Sequence, residues 1–87
     1  MDCGALPNNS DKSVSISDID FIEFLYISGA TYGNNYPSPI PYAGLSGSTS
    51  DIVIVDVFID KLQKLIRIKT NRNLSSYNAY VTLEYYK

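Results

Sequence analysis

Positions 51–60 read DIVIVDVFID, and this decapeptide restricts the fold more than any other stretch. Val53, Val55, Val57 and Ile59 form one alternating apolar row, and Ile52, Ile54 and Phe58 form a second, interrupted only by Asp56. Period two with β-branched side chains is strand chemistry, because successive residues of a pleated strand point to opposite faces. A strand that is apolar on both faces needs cover on both. A two-sheet sandwich covers one face of each sheet, so the other must meet a folded-back segment or a second copy.

The same alternation recurs along the chain. In the closing SSYNAYVTLEYYK, residues Tyr77, Ala79, Val81, Leu83 and Tyr85 suit burial, while Tyr80 and Tyr86 stand among the interleaved polar positions. LIRIKT sets Ile66 and Ile68 inward with Arg67 and Lys69 outward, and KSVSIS sets Val14 and Ile16 against serines. IDFIEFLYIS is ambiguous by period, since Ile19, Ile22, Leu25 and Tyr26 would also line a helix face. Its short length, aromatic and β-branched content and its stop at Ser28-Gly29 favour a central strand covered on both faces. DCGAL reads as a short edge strand closed by Pro7, which cannot donate to a ladder.

Turn chemistry separates these runs at PNNSDK, KLQK and NRNLS. The long stretch 29–50, GATYGNNYPSPIPYAGLSGSTS, holds four of the five glycines and three of the four prolines and is expected to be a loop, with residues 43–45 read as a strand fragment. The expectation is an all-β fold: a small antiparallel β-sandwich, jelly-roll-like, of about six strands with one long Gly/Pro/Tyr loop. At 87 residues there is room for one domain, 1–87, with a thin core that self-association would help.

Composition narrows function by exclusion. A net charge of −2 is the wrong field for nucleic acid. No apolar run approaches the ~18 residues of a membrane span, and MDCGALPNN lacks the basic start and apolar core of a secretory signal. With no histidine, the commonest general base and metal ligand is missing, so no enzyme and no cofactor are expected. Cys3, the single cysteine, excludes an internal disulfide and reads as a passive thiol. Asp18 and Asp20 share a face in the strand reading, but no calcium-loop pattern surrounds them, so they read as solvated carboxylates. Lys61, Lys64, Arg67, Lys69 and Arg72 crowd one hairpin, which reads as a solvated outer face.

Binding chemistry is best represented in the long loop. Tyr32, Tyr36 and Tyr42 offer apolar ring faces with hydroxyl tips that suit the C–H face of a sugar, and Asn34 and Asn35 add adaptable polar contacts. These five residues are the expected glycan-binding set, with packing of the tyrosines onto their own scaffold or at a subunit interface as the competing role.

The two ends carry a resemblance. DCGALPNNSDKSVSI, followed by DIDFIEFLYISG, resembles the opening of a module found in bacteriophage and prophage tail or fibre proteins, where CGALPNN precedes a K-x-V strand and an I-D-x-I strand. NRNLSSYNAYVTLEYYK resembles the same module's ending, N-R-S-x-Y-x-x-Y-V-T-L-E-Y-T-K. The matching positions are Cys3 to Asn9, Lys12, Val14, Ile19, Asp20, Ile22, Arg72, Ser76, Tyr77, Tyr80 to Tyr85 and Lys87. Tyr86 stands where that family commonly has threonine, and Asn73-Leu74 lengthens the turn. The resemblance implies a C-terminal tip module of a longer fibre, which would explain a chain closing on a core strand. It also implies a virion structural protein made in the host cytoplasm, a homotrimer, and a partner in bacterial surface polysaccharide. A purely structural cap, head-fibre or decoration module is the alternative it leaves open.

Overall fold

The computed structural model describes residues 1–20, 23–33, 35, 37–45 and 52–86. Eight strands are formed: β1 (Asp2–Ala5), β2 (Asp11–Ser15), β3 (Glu23–Tyr32), β4 (Pro39–Ile40), β5 (Tyr42–Leu45), β6 (Ile52–Asp60), β7 (Leu65–Thr70) and β8 (Asn78–Tyr86). They build two antiparallel four-stranded sheets, sheet I in the order β1-β8-β3-β4 and sheet II in the order β2-β7-β6-β5. The described residues include no helix. The fold is the all-β, two-sheet sandwich that the alternation predicts.

One apolar cluster lies between the sheets. Sheet II contributes Val55, Val57, Ile66 and Ile68, and sheet I contributes Cys3, Ile40, Ala79 and Val81. Leu6, Ile16 and Leu74 close it from the connections. Ile16, Ile66, Ile68, Ala79 and Val81 are fully buried, and each large aliphatic among them contributes roughly 1.5–3 kcal/mol by leaving water. The inward rows are those expected from the sequence: Val53, Val55, Val57 and Ile59 on β6, Ile66 and Ile68 on β7, and Tyr77, Ala79, Val81 and Leu83 along β8 and its approach.

Two features depart from the expectation. Stretch 29–50 is not one loop: β3 runs to Tyr32, and β4 and β5 follow, β5 containing the fragment expected at 43–45, so that the strand count rises from about six to eight. Its glycines and prolines were expected to interrupt structure, but several are strand residues. Gly29 lies in β3 because a side chain there would meet Tyr80 O at 2.5 Å and Ile40 Cγ1 at 2.9 Å. Pro39 lies on edge strand β4, where a missing N–H is tolerated. The cis Ile40–Pro41 bond sits where the chain crosses from sheet I to sheet II.

The strand expected at 19–28 also begins later. Ile19 precedes β3 and its amide donates to Ile16 O at 3.0 Å, so Asp18 and Asp20 lie in a connecting turn rather than on one strand face. Phe21 and Ile22 lie outside the described residues.

The topology brings the chain ends together. β1 and β8 pair from Asp2↔Tyr80 to Ala5↔Asn78, and β2 pairs with β7 from Asp11↔Lys69 to Ser15↔Leu65. These two pairings wrap the first quarter of the chain around the last, as in a jelly roll. β3–β4 and β5–β6–β7 remain local antiparallel units.

Candidate functional site

Sheet I has one face on the core, and the alternation of β8 turns Tyr80, Thr82, Glu84 and Tyr86 to the other. Register places Asp2 of β1 and Ala30 of β3 on either side of Tyr80, with Pro39 of β4 beyond Ala30. Thr82 faces Ser28, and Tyr32 faces Asn78, so Tyr32 is the diagonal neighbour of Tyr80. Tyr80 is 51% exposed, Tyr86 59% and Tyr32 38%.

Tyr32 is held in place. Its hydroxyl donates to Asp2 Oδ1 at 2.6 Å. β8 lies between β3 and β1, so this bond spans two inter-strand spacings, roughly 9–10 Å, and lays the ring across the outer face of β8. The same Oδ1 accepts the Gly4 amide at 2.9 Å. The Tyr32 bond, and after it the Gly4 amide, hold the Asp2 carboxyl below its ordinary 3.8. The Tyr32 hydroxyl is raised above 10.0, chiefly by the same bond.

Of the five residues expected to bind glycan, Tyr32 is on this face and Asn35 is exposed in the β3–β4 connection. Tyr42 lies on β5 of sheet II, half-buried, and packs against the core cluster. Asn34 and Tyr36 lie outside the described residues. Tyr32 and Tyr42 thus belong to different sheets. Asp2 and Tyr80 join Tyr32 through strand pairing, while Tyr86 shares the face at its far end opposite Glu23; only the interleaved positions of β8 hinted at this in the sequence.

Sheet II carries a different outer face. Ile52, Ile54 and Phe58 of β6 are 55%, 42% and 44% exposed, so the second apolar row of the decapeptide is uncovered. Asp56 and Lys69, directly opposed on β6 and β7, interrupt it. The basic hairpin does not converge on a ligand position: Lys61 pairs with Glu23 at 2.9 Å, and Arg67 pairs with Asp60 at 3.3 Å. The Gln63 amide and then Arg67 keep Asp60 ionised below its ordinary 3.8.

The residues of the fibre-like ends are structural neighbours. Leu6 N donates to Tyr77 O at 2.8 Å, Asn9 N to Arg72 O at 2.8 Å, and Leu74 N to Pro7 O at 3.3 Å, while Asn8 bridges to Asn73. Thr70 Oγ1 reaches Pro7 O at 2.9 Å and Arg72 O at 3.0 Å. Lys12 donates from β2 to the carbonyls of Cys3 and Ala5 on β1. Cys3 is buried, and desolvation raises its thiol pKa, which makes it a poor nucleophile.

Among the described residues, no three His, Cys, Asp or Glu side chains converge to hold a metal ion. No helix among them is long and apolar enough to cross a membrane. No family model, curated protein or solved structure matches the chain. Fold and surface therefore define a class: a small antiparallel β-sandwich with a tyrosine-bearing outer face on one sheet and an apolar outer stripe on the other.

Proposed function

We propose that this chain is a non-enzymatic virion structural module of a bacteriophage or prophage fibre, which forms a homotrimer and binds a host cell-surface glycan. One observation carries the reading. The two stretches that resemble the ends of a phage fibre module, separated by most of the chain, are hydrogen-bonded to each other as β1, β8 and the connections beside them. Residues such as Cys3, Gly4, Leu6, Pro7 and Lys12 then have a shared task, tying β1 and β2 to each other and to the β7–β8 segment along one edge of the sandwich, which leaves the outer faces free to carry function. Recognition by rigid aromatic rings on a sheet face suits a sugar polymer better than a charged one.

The experiment is retention of the purified protein on an array of bacterial capsular and cell-wall polysaccharides, read beside the gene's neighbours. Binding, with tail, holin or lysin genes adjacent, supports the reading. Absence of binding to every polysaccharide rejects receptor recognition.

A second reading is a trimeric cap or decoration module with no receptor. The exposed row Ile52, Ile54 and Phe58 favours it, because such a row at the centre of a sheet suits a subunit interface. A stable trimer that binds no polysaccharide on the array favours this second reading.

A further inference from the structure

We infer that the outer face of sheet I, centred on Tyr80 with Tyr32 and Asp2, is the carbohydrate site, and that its ligand is a neutral hexose or N-acetylhexosamine unit of a bacterial surface polysaccharide. The inference rests on the proposed glycan-binding role and moves its site from the connection after β3 to the sheet face. Tyr80 has Asp2 on one flank and Ala30 and then Pro39 on the other, so its neighbours toward β4 are short side chains. Half of Tyr80 is solvent-exposed, although it stands on the strand whose alternate residues Ala79 and Val81 are fully buried. A sugar can lie against the ring through its C–H face while its hydroxyls reach the flanks.

Asp2 supplies the polar partner. Its Oδ1 already accepts from Tyr32 and Gly4, while Oδ2 has no partner among the described residues and can accept from a sugar hydroxyl. Tyr32 is pinned by the same carboxylate, so its ring is ordered before the ligand arrives and less entropy is lost on binding. Ser28 and Thr82 extend the face with hydroxyls.

Charge decides the ligand class. The described outer residues of sheet I include Asp2, Glu23 and Glu84, and cations stand against them: the Met1 ammonium, which donates to Val81 O at 2.8 Å, and Lys12 act on Asp2, while Lys61 pairs with Glu23 at the Tyr86 end of the sheet. With these carboxylates matched by cations, a phosphate- or uronate-bearing polymer gains no net attraction here, whereas a neutral sugar meets the open acceptor of Asp2.

The test compares the wild-type chain with Tyr80→Ala, Tyr80→Phe, Tyr32→Phe and Phe58→Ala on neutral polysaccharides and on anionic, teichoic acid-type polymers. Folding of each variant is checked by circular dichroism and its urea midpoint. Expected is binding to neutral polymers that falls about tenfold or more in Tyr80→Ala, the order of a lost stacked ring. Tyr80→Phe keeps most of it, Tyr32→Phe weakens it by a smaller factor, and Phe58→Ala leaves it unchanged. Binding that survives Tyr80→Ala in a folded variant overturns this site while leaving the glycan-binding reading intact. Selectivity for the anionic polymers overturns the ligand class. No binding to either set overturns the site and the glycan-binding reading together.

Discussion

Lys12 shows how one side chain can tie the two sheets of this sandwich together at an edge. It stands on β2 yet donates to carbonyls of β1, an edge strand with no further neighbour to accept from. Replacing it by methionine keeps the stem but leaves the Cys3 carbonyl, partly buried, and the Ala5 carbonyl, exposed, without their donor. The expected cost is about 1–3 kcal/mol, read from urea unfolding. Gly29 is the second residue with a narrow tolerance. Gly29→Ala pushes a methyl against backbone at 2.5 Å and is expected to lose about 1–3 kcal/mol in the same assay. Tyr32 and Asp2 give a pH signature. Asp2 titrates below its usual 3.8 in the folded state, so its contribution is present above that value and is lost as pH falls through the lowered one. Tyr32 titrates above 10.0, so its contribution is present below pH 10.0 and is lost as pH rises through the raised value. Both groups are exposed and the effects are small. Tyr32→Phe should flatten both limbs of a plot of Tm against pH between about 2 and 11.

At the scale of the element, β6 makes the two-faced strand testable. Its inward row is core, and its outward row is solvent-exposed beside Arg67 and Lys69 of β7. Ile66→Ala, on the inward face of β7, empties a fully buried site and is expected to cost about 2–5 kcal/mol. Ile54→Ala, on the outward face of β6, should change the stability of the isolated chain by no more than about 0.5 kcal/mol. Equal costs in urea titrations at concentrations too low for association would contradict the assigned register. Asn71 marks the end of this unit: its side-chain amide donates to Ile52 O at 3.0 Å and accepts from Ile54 N at 2.8 Å, extending the β6–β7 ladder past the last residue of β7.

The whole molecule is elongated, 43 × 19 × 19 Å, with its two outer faces differing in chemistry. The tyrosine face is hydroxyl-rich, whereas the β6 stripe is apolar. A homotrimer that buries the stripe and leaves the tyrosine face to solvent fits both. Light scattering at micromolar concentration should give about three times the 9.7 kDa chain mass. Phe58→Lys should shift that mass toward monomer without unfolding the chain. A wild-type monomer would contradict the trimer and leave the sheet I site standing.

Much of the fold was legible because sheet burial follows a local rule. Alternation at 53–59, at 66–68 and at 77–83 assigns each residue a face without reference to any partner strand, and those faces are the ones adopted. The resemblance at the two ends likewise drew on residues that prove to be hydrogen-bonded neighbours. Outside the fragment at 43–45, the stretch 29–50 differs from a loop for a physical reason: glycine and proline mark a turn in isolation, but Gly29 is required by a passing backbone and Pro39 is tolerated on a free edge, both supplied from elsewhere in the chain. The candidate site depended on the same long-range information. Tyr32 was visible as an aromatic in a glycine-rich stretch, whereas its partnership with Asp2 and Tyr80 required β1, β8 and β3 to lie side by side. Periodicity encodes which way a side chain points; only strand order decides what stands next to it, because pairing joins residues that the chain keeps far apart.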